Sequence, residues 1–330
     1  MALQVGILGA GGMGYQHGQR LVKERGVSLA AICALEGAEA LSQRLTGGRA
    51  AVYTDFDQML KEQAPDALYV CIPPGAHVGQ EEKAARKGIH LFLEKPIAVE
   101  PGRAASIVRA IEKAGVVSQV GYMSRYGAAV RKLKKMIEDG SAGRPTLFQG
   151  RYFCNALHGP WWRDKAQAGG QVLEQVIHTY DVALHLFGDV ASVCGLAANL
   201  CHGDVEGYTV EDTSVAAMRF KNGALGSIVG SNCAVPGEWT GSYRVVCEKV
   251  TVLFRSPNEA EFIHTGGRKV RRETVAKESD NLLAETRDFL RAVRGKGQTL
   301  APAREGLRGV KLTSAVLASA AQGGKPVRIR

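Results

Sequence analysis

Apolar residues in the first 121 positions fall into short blocks, at residues 4–8, 28–34, 67–72, 90–93 and 116–121, separated by helical segments. Several blocks are apolar on both faces, the pattern of parallel strands covered by helices on each side. Between two of them, "AASIVRAIEKAG" sets Ile107, Ala110, Ile111 and Ala114 on one helical face and stops at Gly115. This alternation predicts an α/β, doubly wound nucleotide-binding unit over residues 1–121.

From residue 122 the rhythm changes. A basic helix ends at Gly140 and Gly143, and longer alternating strands follow at 145–153, 191–199, 213–220, 224–233 and 243–254, with "KNG" marking a hairpin between two of them. The pattern predicts a second, largely antiparallel domain over 122–330. Leu282, Leu283, Thr286, Phe289, Leu290 and Val293 mark a packed helix stopped by Gly295, and another helix is expected over 305–322. The strands "TSVAAMRF" and "ALGSIVGSNCA" carry small or apolar residues on both faces. One face then belongs against helices and the other against a partner chain, predicting a homo-oligomer.

One segment breaks the apolar pattern. In "LEQVIHTYDVALHLFG" (173–188), read from Gln171, polar side chains recur at Glu174, His178, Asp181 and His185, stacking along one helical stripe. A solvated stripe more commonly carries Lys and Arg, and none occurs between Lys165 and Arg219. The stripe is therefore expected to line an internal cleft.

Composition narrows the classes. With 330 residues, 45% of them hydrophobic, each domain can bury its own core. No apolar run approaches the roughly 20 residues of a membrane helix. The first strand starts almost at once, leaving no space for a leader, so a cytoplasmic location is expected. Seven cysteines without a C-x-x-C pair argue against a disulfide framework or a zinc cluster, and they read as small apolar fillers with no metal site. The excess of 42 Lys+Arg over 32 Asp+Glu is scattered, and its densest cluster, "GRKVRR", lacks aromatics. Nucleic-acid binding is thereby disfavoured, and a field that draws in anionic nucleotides is the more ordinary reading.

The candidate chemistry begins at "VGILGAGGMG", where Gly9, Gly11 and Gly14 are spaced as G-x-G-x-x-G between a strand and a helix. Gly9 permits the tight turn, Gly11 the approach of pyrophosphate, and Gly14 close helix-strand packing, with Gly12 and Met13 opening the helix. Phosphate meets free N–H groups and the dipole there. At the end of the second strand Ala34 stands where an acid that binds ribose is usual, and Glu36 follows two positions later. NAD and NADP both stay open, with Glu36 tilting toward NAD. In "HLFLEKPIAV", Lys95 projects from a strand's carboxyl end, where doubly wound sheets bind ligands. Pro96 restricts its backbone and admits a cis bond. A surface pair of Lys95 with Glu94 is the plainer alternative.

Together, "GAGGMG" at 9–14, "PPGAH" at 73–77, "EKP" at 94–96, "GYMSRY" at 121–126, "WWR" at 161–163 and "GGQVLEQVIHTYD" at 169–181 resemble the Gfo/Idh/MocA family of NAD(P)-dependent oxidoreductases. The resemblance covers nearly the whole chain. It implies an N-terminal Rossmann domain and a C-terminal α+β domain with an open mixed sheet that mediates dimers or tetramers. It also implies a cleft containing Lys95, Glu174 and His178, with Pro73, His77 and Glu94 beside the cofactor. In that scheme His178 takes the hydroxyl proton of a sugar or polyol as hydride leaves the same carbon, and Lys95 polarises the oxygen. Arg125, Tyr126, Trp162, Arg163 and Asp181 are the further candidates for contact with the carbohydrate. Glu174 stands where the family often has Asp, leaving open whether it orients His178, binds substrate or does neither. A catalytically silent dinucleotide-binding sensor or scaffold is the rival reading.

Overall fold

The apolar blocks of the first 121 residues become strands: β1 (Leu3–Leu8), α1 (Gly12–Leu21), β2 (Val27–Cys33), α2 (Ala38–Thr46), β3 (Ala51–Tyr53), α3 (Phe56–Glu62), β4 (Ala67–Val70), α4 (Gln80–Arg86), β5 (His90–Leu93), α5 (Pro101–Ala114) and β6 (Ser118–Val120). These assignments come from a computed structural model that describes residues 2–329. All strand pairs of this sheet are parallel, in the order β3-β2-β1-β4-β5-β6. Strand order reverses between β1 and β4, so their carboxyl ends flank the crevice where such sheets bind ligands. β4 is buried along its whole length, which is why its block reads apolar on both faces.

The chain then forms α6 (Ala128–Glu138), β7 (Pro145–Phe153), three short helices α7 (Pro160–Arg163), α8 (Lys165–Ala168) and α9 (Gln171–Glu174), and the longer α10 (Ile177–Phe187). Strands β8 (Val190–Ala198), β9 (Thr213–Phe220), β10 (Leu225–Ser231), β11 (Thr240–Cys247), β12 (Val250–Ser256), β13 (Glu259–His264) and β14 (Arg271–Ala276) follow. Helices α11 (Asn281–Val293) and α12 (Ala303–Ala320) and the short β15 (Val327–Arg328) complete the chain. The second sheet runs β14-β13-β12-β11-β7-β10-β9-β8-β15. Its β7–β10 pair is parallel and the other pairs are antiparallel, so the sheet is mixed and largely antiparallel.

Two compact units result: residues 1–121 with 282–307, and residues 122–281 with 308–330. The linear division placed 282–307 in the second domain, and the packing returns them to the first. Phe289 and Leu290 are buried in the first core, where Phe289 meets stacked Tyr69 and Phe92 edge-on at 5.5 and 5.7 Å. The second core joins Phe148, Phe187, Phe220, Phe254 and Phe262 with Leu133 and Val316.

Two further expectations change. The block at 243–254 is a hairpin, β11 and β12, that reverses at Glu248 and Lys249. The helix expected through 173–188 breaks after Glu174: the Val176 N–H reaches back five residues to Gln171 C=O, and the Thr179 N–H only three, to Val176 C=O.

Candidate active site

In the first unit the glycine turn is a cradle for a phosphate. Gly9 has φ +103°, and a Cβ there would stand 2.2 Å from the Cys71 carbonyl oxygen, while one on Gly14 would stand 2.1 Å from the Gly9 carbonyl oxygen. Only glycine fits either position. A Cβ on Gly11 or Gly12 would meet nothing within 4 Å, so the backbone there is open to a ligand. α1 starts at Gly12 with no side-chain cap and no acid in its first turn. Its leading N–H groups and dipole thus suit a pyrophosphate, and the half-buried Met13 lies on that turn. The residues present fit a dinucleotide.

Ala34 directly follows β2, and its N–H bonds to the Tyr53 carbonyl at 3.0 Å. Glu36 is exposed in the same loop. The nearest downstream base, Arg44, lies over the Tyr15 ring at 3.8 Å.

The "EKP" turn follows β5, and its Lys95–Pro96 bond is cis. Glu94 is buried and accepts from two sides: His17 Nε2 lies 2.7 Å from one carboxylate oxygen, and the Lys95 N–H donates to the other at 3.2 Å. Glu94 thus fixes the backbone from which the half-buried Lys95 projects. Pro73 is half-buried at the start of a 3-10 turn over Pro74–Ala76. His77, which the resemblance puts beside the cofactor, is 3% exposed; its Nδ1 pairs with Glu81 at 2.5 Å and its carbonyl accepts from Arg103 at 2.7 Å. Only its Nε2 has no hydrogen-bond partner among the described residues.

In the second unit the double glycine sets up α9. Gly169 caps α8 at φ +77° and Gly170 opens α9 at φ +107°, with Glu211 Oε1 where a Cβ would fall, at 2.5 Å. That oxygen accepts from the Val172 N–H at 2.9 Å, while burial pushes the Glu211 carboxyl above its usual range. Glu211 clamps the segment carrying Glu174, a role that no local motif announces.

Glu174 is half-buried, and Trp162 Nε1 donates to its Oε2 at 2.7 Å. Trp162 packs its ring 4.3 Å from His158, whose Nε2 lies 2.6 Å from Gln175 Nε2. His178 is half-buried at the start of α10.

The rest of the polar stripe points elsewhere. Gln171 is buried and bonds Asn232 and Ser214. Asp181 is buried in a fork with Arg125: Nε lies 3.1 and 3.0 Å from the two carboxylate oxygens, and Nη2 2.6 Å from the first. Asp181 and Arg125 were expected to contact substrate, and the structure joins them to each other inside the unit. Tyr126 is likewise buried, 7% exposed, at the end of the 3-10 turn Met123–Tyr126 that also carries Arg125. Arg163 directs Nε and Nη2 to the carbonyls of Leu157 and His158, each at 3.0 Å, and so holds a backbone turn. His185 is buried among the cations of Arg125, Lys134 and Arg308; burial first, then those charges, push it down to about 2. Of the stripe, Glu174 and His178 stay within reach of solvent.

No helix among the described residues is long and apolar enough to cross a membrane. Residues 3–122 match an oxidoreductase family with an NAD-binding Rossmann fold, and residues 130–253 match the GFO/IDH/MocA C-terminal domain. Among relatives, the scyllo-inositol 2-dehydrogenase (NAD(+)) of Bacillus subtilis (strain 168) is 30% identical over 239 residues, which cover 70% of this chain and 68% of that protein. The WlbA dehydrogenase from Bordetella pertussis, solved with NADH and UDP-GlcNAcA, is 26% identical with a TM-score of 0.86, over 100% of this chain and 99% of that one. A levoglucosan dehydrogenase in complex with NADH shares the fold, with a TM-score of 0.92 over 100% of both chains at 20% identity. Both domain matches fall in order on the two sheets, and the chain belongs to the Gfo/Idh/MocA family of NAD-binding oxidoreductases.

Proposed function

We propose that this protein oxidises a secondary hydroxyl of a polyol or sugar, with NAD as the cofactor. The observation that carries the reading is membership of this family together with "EKP" at 94–96 and His178 with a carboxylate, Glu174, four residues before it. Bound nicotinamide supplies the hydride acceptor.

The chain's own residues do the rest. The α1 N-terminus and the open backbone at Gly11 and Gly12 bind the pyrophosphate. Lys95 donates to the reacting oxygen and holds negative charge as it develops, and His178 takes the hydroxyl proton. Glu174, fixed by Trp162, orients His178 or binds a neighbouring hydroxyl. The exposed Glu36 and the lack of a base in that loop favour NAD over NADP, although Ala34 leaves out the acid that usually binds the NAD ribose.

A homodimer or homotetramer through the second sheet fits its outer face. Leu196 is paired across to Val215, and Val215 to Val229, making an apolar row in which Leu196 is 59% and Val215 50% exposed. A cytoplasmic location and the absence of a nucleic-acid partner complete the reading.

A panel of inositols, sugars and sugar acids with NAD and NADP, followed at the reduced-nicotinamide absorbance, tests it, with calorimetry for cofactor binding. Turnover of a polyol or sugar with NAD, lost in Lys95→Ala and His178→Ala variants that still bind NAD, is the expected result. Turnover retained by both variants removes the assigned roles, and failure to bind either cofactor removes the whole reading.

A further inference from the structure

In the second unit, the loop between β8 and β9 brings the Cys201 thiol and the Asp212 carboxylate beside the Cys233 thiol, just past the end of β10. One ligand atom from each of Cys201, Asp212 and Cys233 lies within 4.8 Å of the others. The imidazole of His202 joins them, with Nδ1 3.1 Å from Asp212 Oδ2 and 4.0 Å from Cys233 Sγ. In a tetrahedral zinc site, with bonds of about 2.0–2.3 Å, neighbouring ligand atoms stand about 3.2–3.8 Å apart. The separations of Cys201, Asp212 and Cys233 from one another, and of His202 Nδ1 from Asp212 and Cys233, lie within about 1 Å of those values.

The cluster is pre-organised. The Asp212 carboxylate accepts from the backbone N–H groups of Leu200, Cys201 and His202 at 3.0, 2.7 and 3.2 Å, which wraps the loop around it. The His202 ring stacks on Tyr208 at 4.7 Å, setting its plane. Asp212 is fully buried, Cys233 half-buried and Cys201 exposed, so solvent reaches one edge. No Lys or Arg lies between positions 165 and 219 to neutralise the carboxylate from within this segment. Two thiols and an imidazole are soft or borderline donors, which select zinc over the oxygen-seeking magnesium and calcium.

We propose that Cys201, His202, Asp212 and Cys233 form a four-ligand zinc site that ties the loop between β8 and β9 to the end of β10. Four protein ligands make it a structural site. Its effect reaches the candidate active site inside the same unit: Tyr208 packs 6.2 Å from the Trp162 ring, and Trp162 holds Glu174.

Titrating the reduced, chelator-treated full chain with cobalt(II) alone, and then with zinc(II), tests the site without reference to activity. The expected result is one cobalt per chain with sulfur-to-cobalt charge-transfer absorption, displaced by zinc. Cys201→Ser, at an exposed position that leaves the core intact, weakens zinc binding by more than about a hundredfold, since changes outside the ligand shell already cost 10–100-fold. Cys194→Ser leaves binding unchanged. The proposal is overturned by a wild-type spectrum without the charge-transfer band, by equal affinity in Cys201→Ser, or by a Cys201–Cys233 disulfide that forms in air whether or not zinc is present.

Discussion

The Arg125–Asp181 fork yields a prediction whose size follows from its burial. Both side chains are almost fully removed from water, 3% and 1% exposed, and three donor–acceptor contacts between 2.6 and 3.1 Å join them. Breaking such a pair from one side leaves an uncompensated charge and costs about 3–5 kcal/mol. Asp181→Asn removes the charge that faces the guanidinium, and Arg125→Met the charge that faces the carboxylate. With a urea dependence of about 2–3 kcal/mol per molar, each single change lowers the unfolding midpoint by about 1–2 M. The double variant Arg125→Met/Asp181→Asn removes both charges and costs less than either single change, so the coupling between the two exceeds about 3 kcal/mol. Equilibrium urea unfolding of the four proteins, followed by circular dichroism, reads this directly. A midpoint for Asp181→Asn equal to wild type, joined to a KM raised more than tenfold, refutes the reasoning and returns both residues to the substrate.

Three further outcomes are expected. Trp162→Phe keeps most of the ring packing but removes the bond from Nε1 to the Glu174 carboxylate; a bond to a charged group is worth about 1.5–3 kcal/mol, so kcat/KM falls by about 10–100-fold in steady-state assays and the melting temperature drops by a few degrees. Gly9→Ala drives a Cβ to 2.2 Å from the Cys71 carbonyl oxygen in a left-handed backbone, so NAD binding measured by calorimetry is lost. His185, with its pKa pushed from 6.5 down to about 2, stays neutral in the folded chain while the unfolded chain gains a proton below pH 6.5. Folding stability therefore falls with decreasing pH between 6.5 and about 2, approaching 1.4 kcal/mol per unit from this group, and unfolding curves of His185→Leu lack that increment.

Much of this was legible in the sequence, for reasons that differ by region. The parallel strands β1, β2, β4 and β5 are largely buried on both faces and so read as apolar runs. β3 is three residues long and offers no period. The β11–β12 reversal at Glu248 and Lys249 lacks the Asn-Gly or Asp-Gly signal that marks a two-residue hairpin turn, so two strands read as one. Residue spacing put Gln171, Glu174, His178, Asp181 and His185 on one helical stripe, but the helix breaks after Glu174, and which of these residues face solvent depends on distant partners. Arg125 buries Asp181, and Asn232 and Ser214 bury Gln171. The break after Glu174 has no Pro or Gly to announce it. Cys201, Asp212 and Cys233 follow no motif spacing, and only the fold brings them together.

The central claim is that His178 removes the hydroxyl proton while Lys95 steadies the oxygen, as hydride leaves the carbon. Single-turnover NADH formation from a substrate carrying deuterium on its reacting carbon, in wild type, His178→Asn and Lys95→Met, tests it most directly. The account predicts a deuterium-sensitive rate that drops by about 10²–10⁴-fold in His178→Asn, and a comparable loss in Lys95→Met, with NAD affinity unchanged. Wild-type rates in both variants would contradict it.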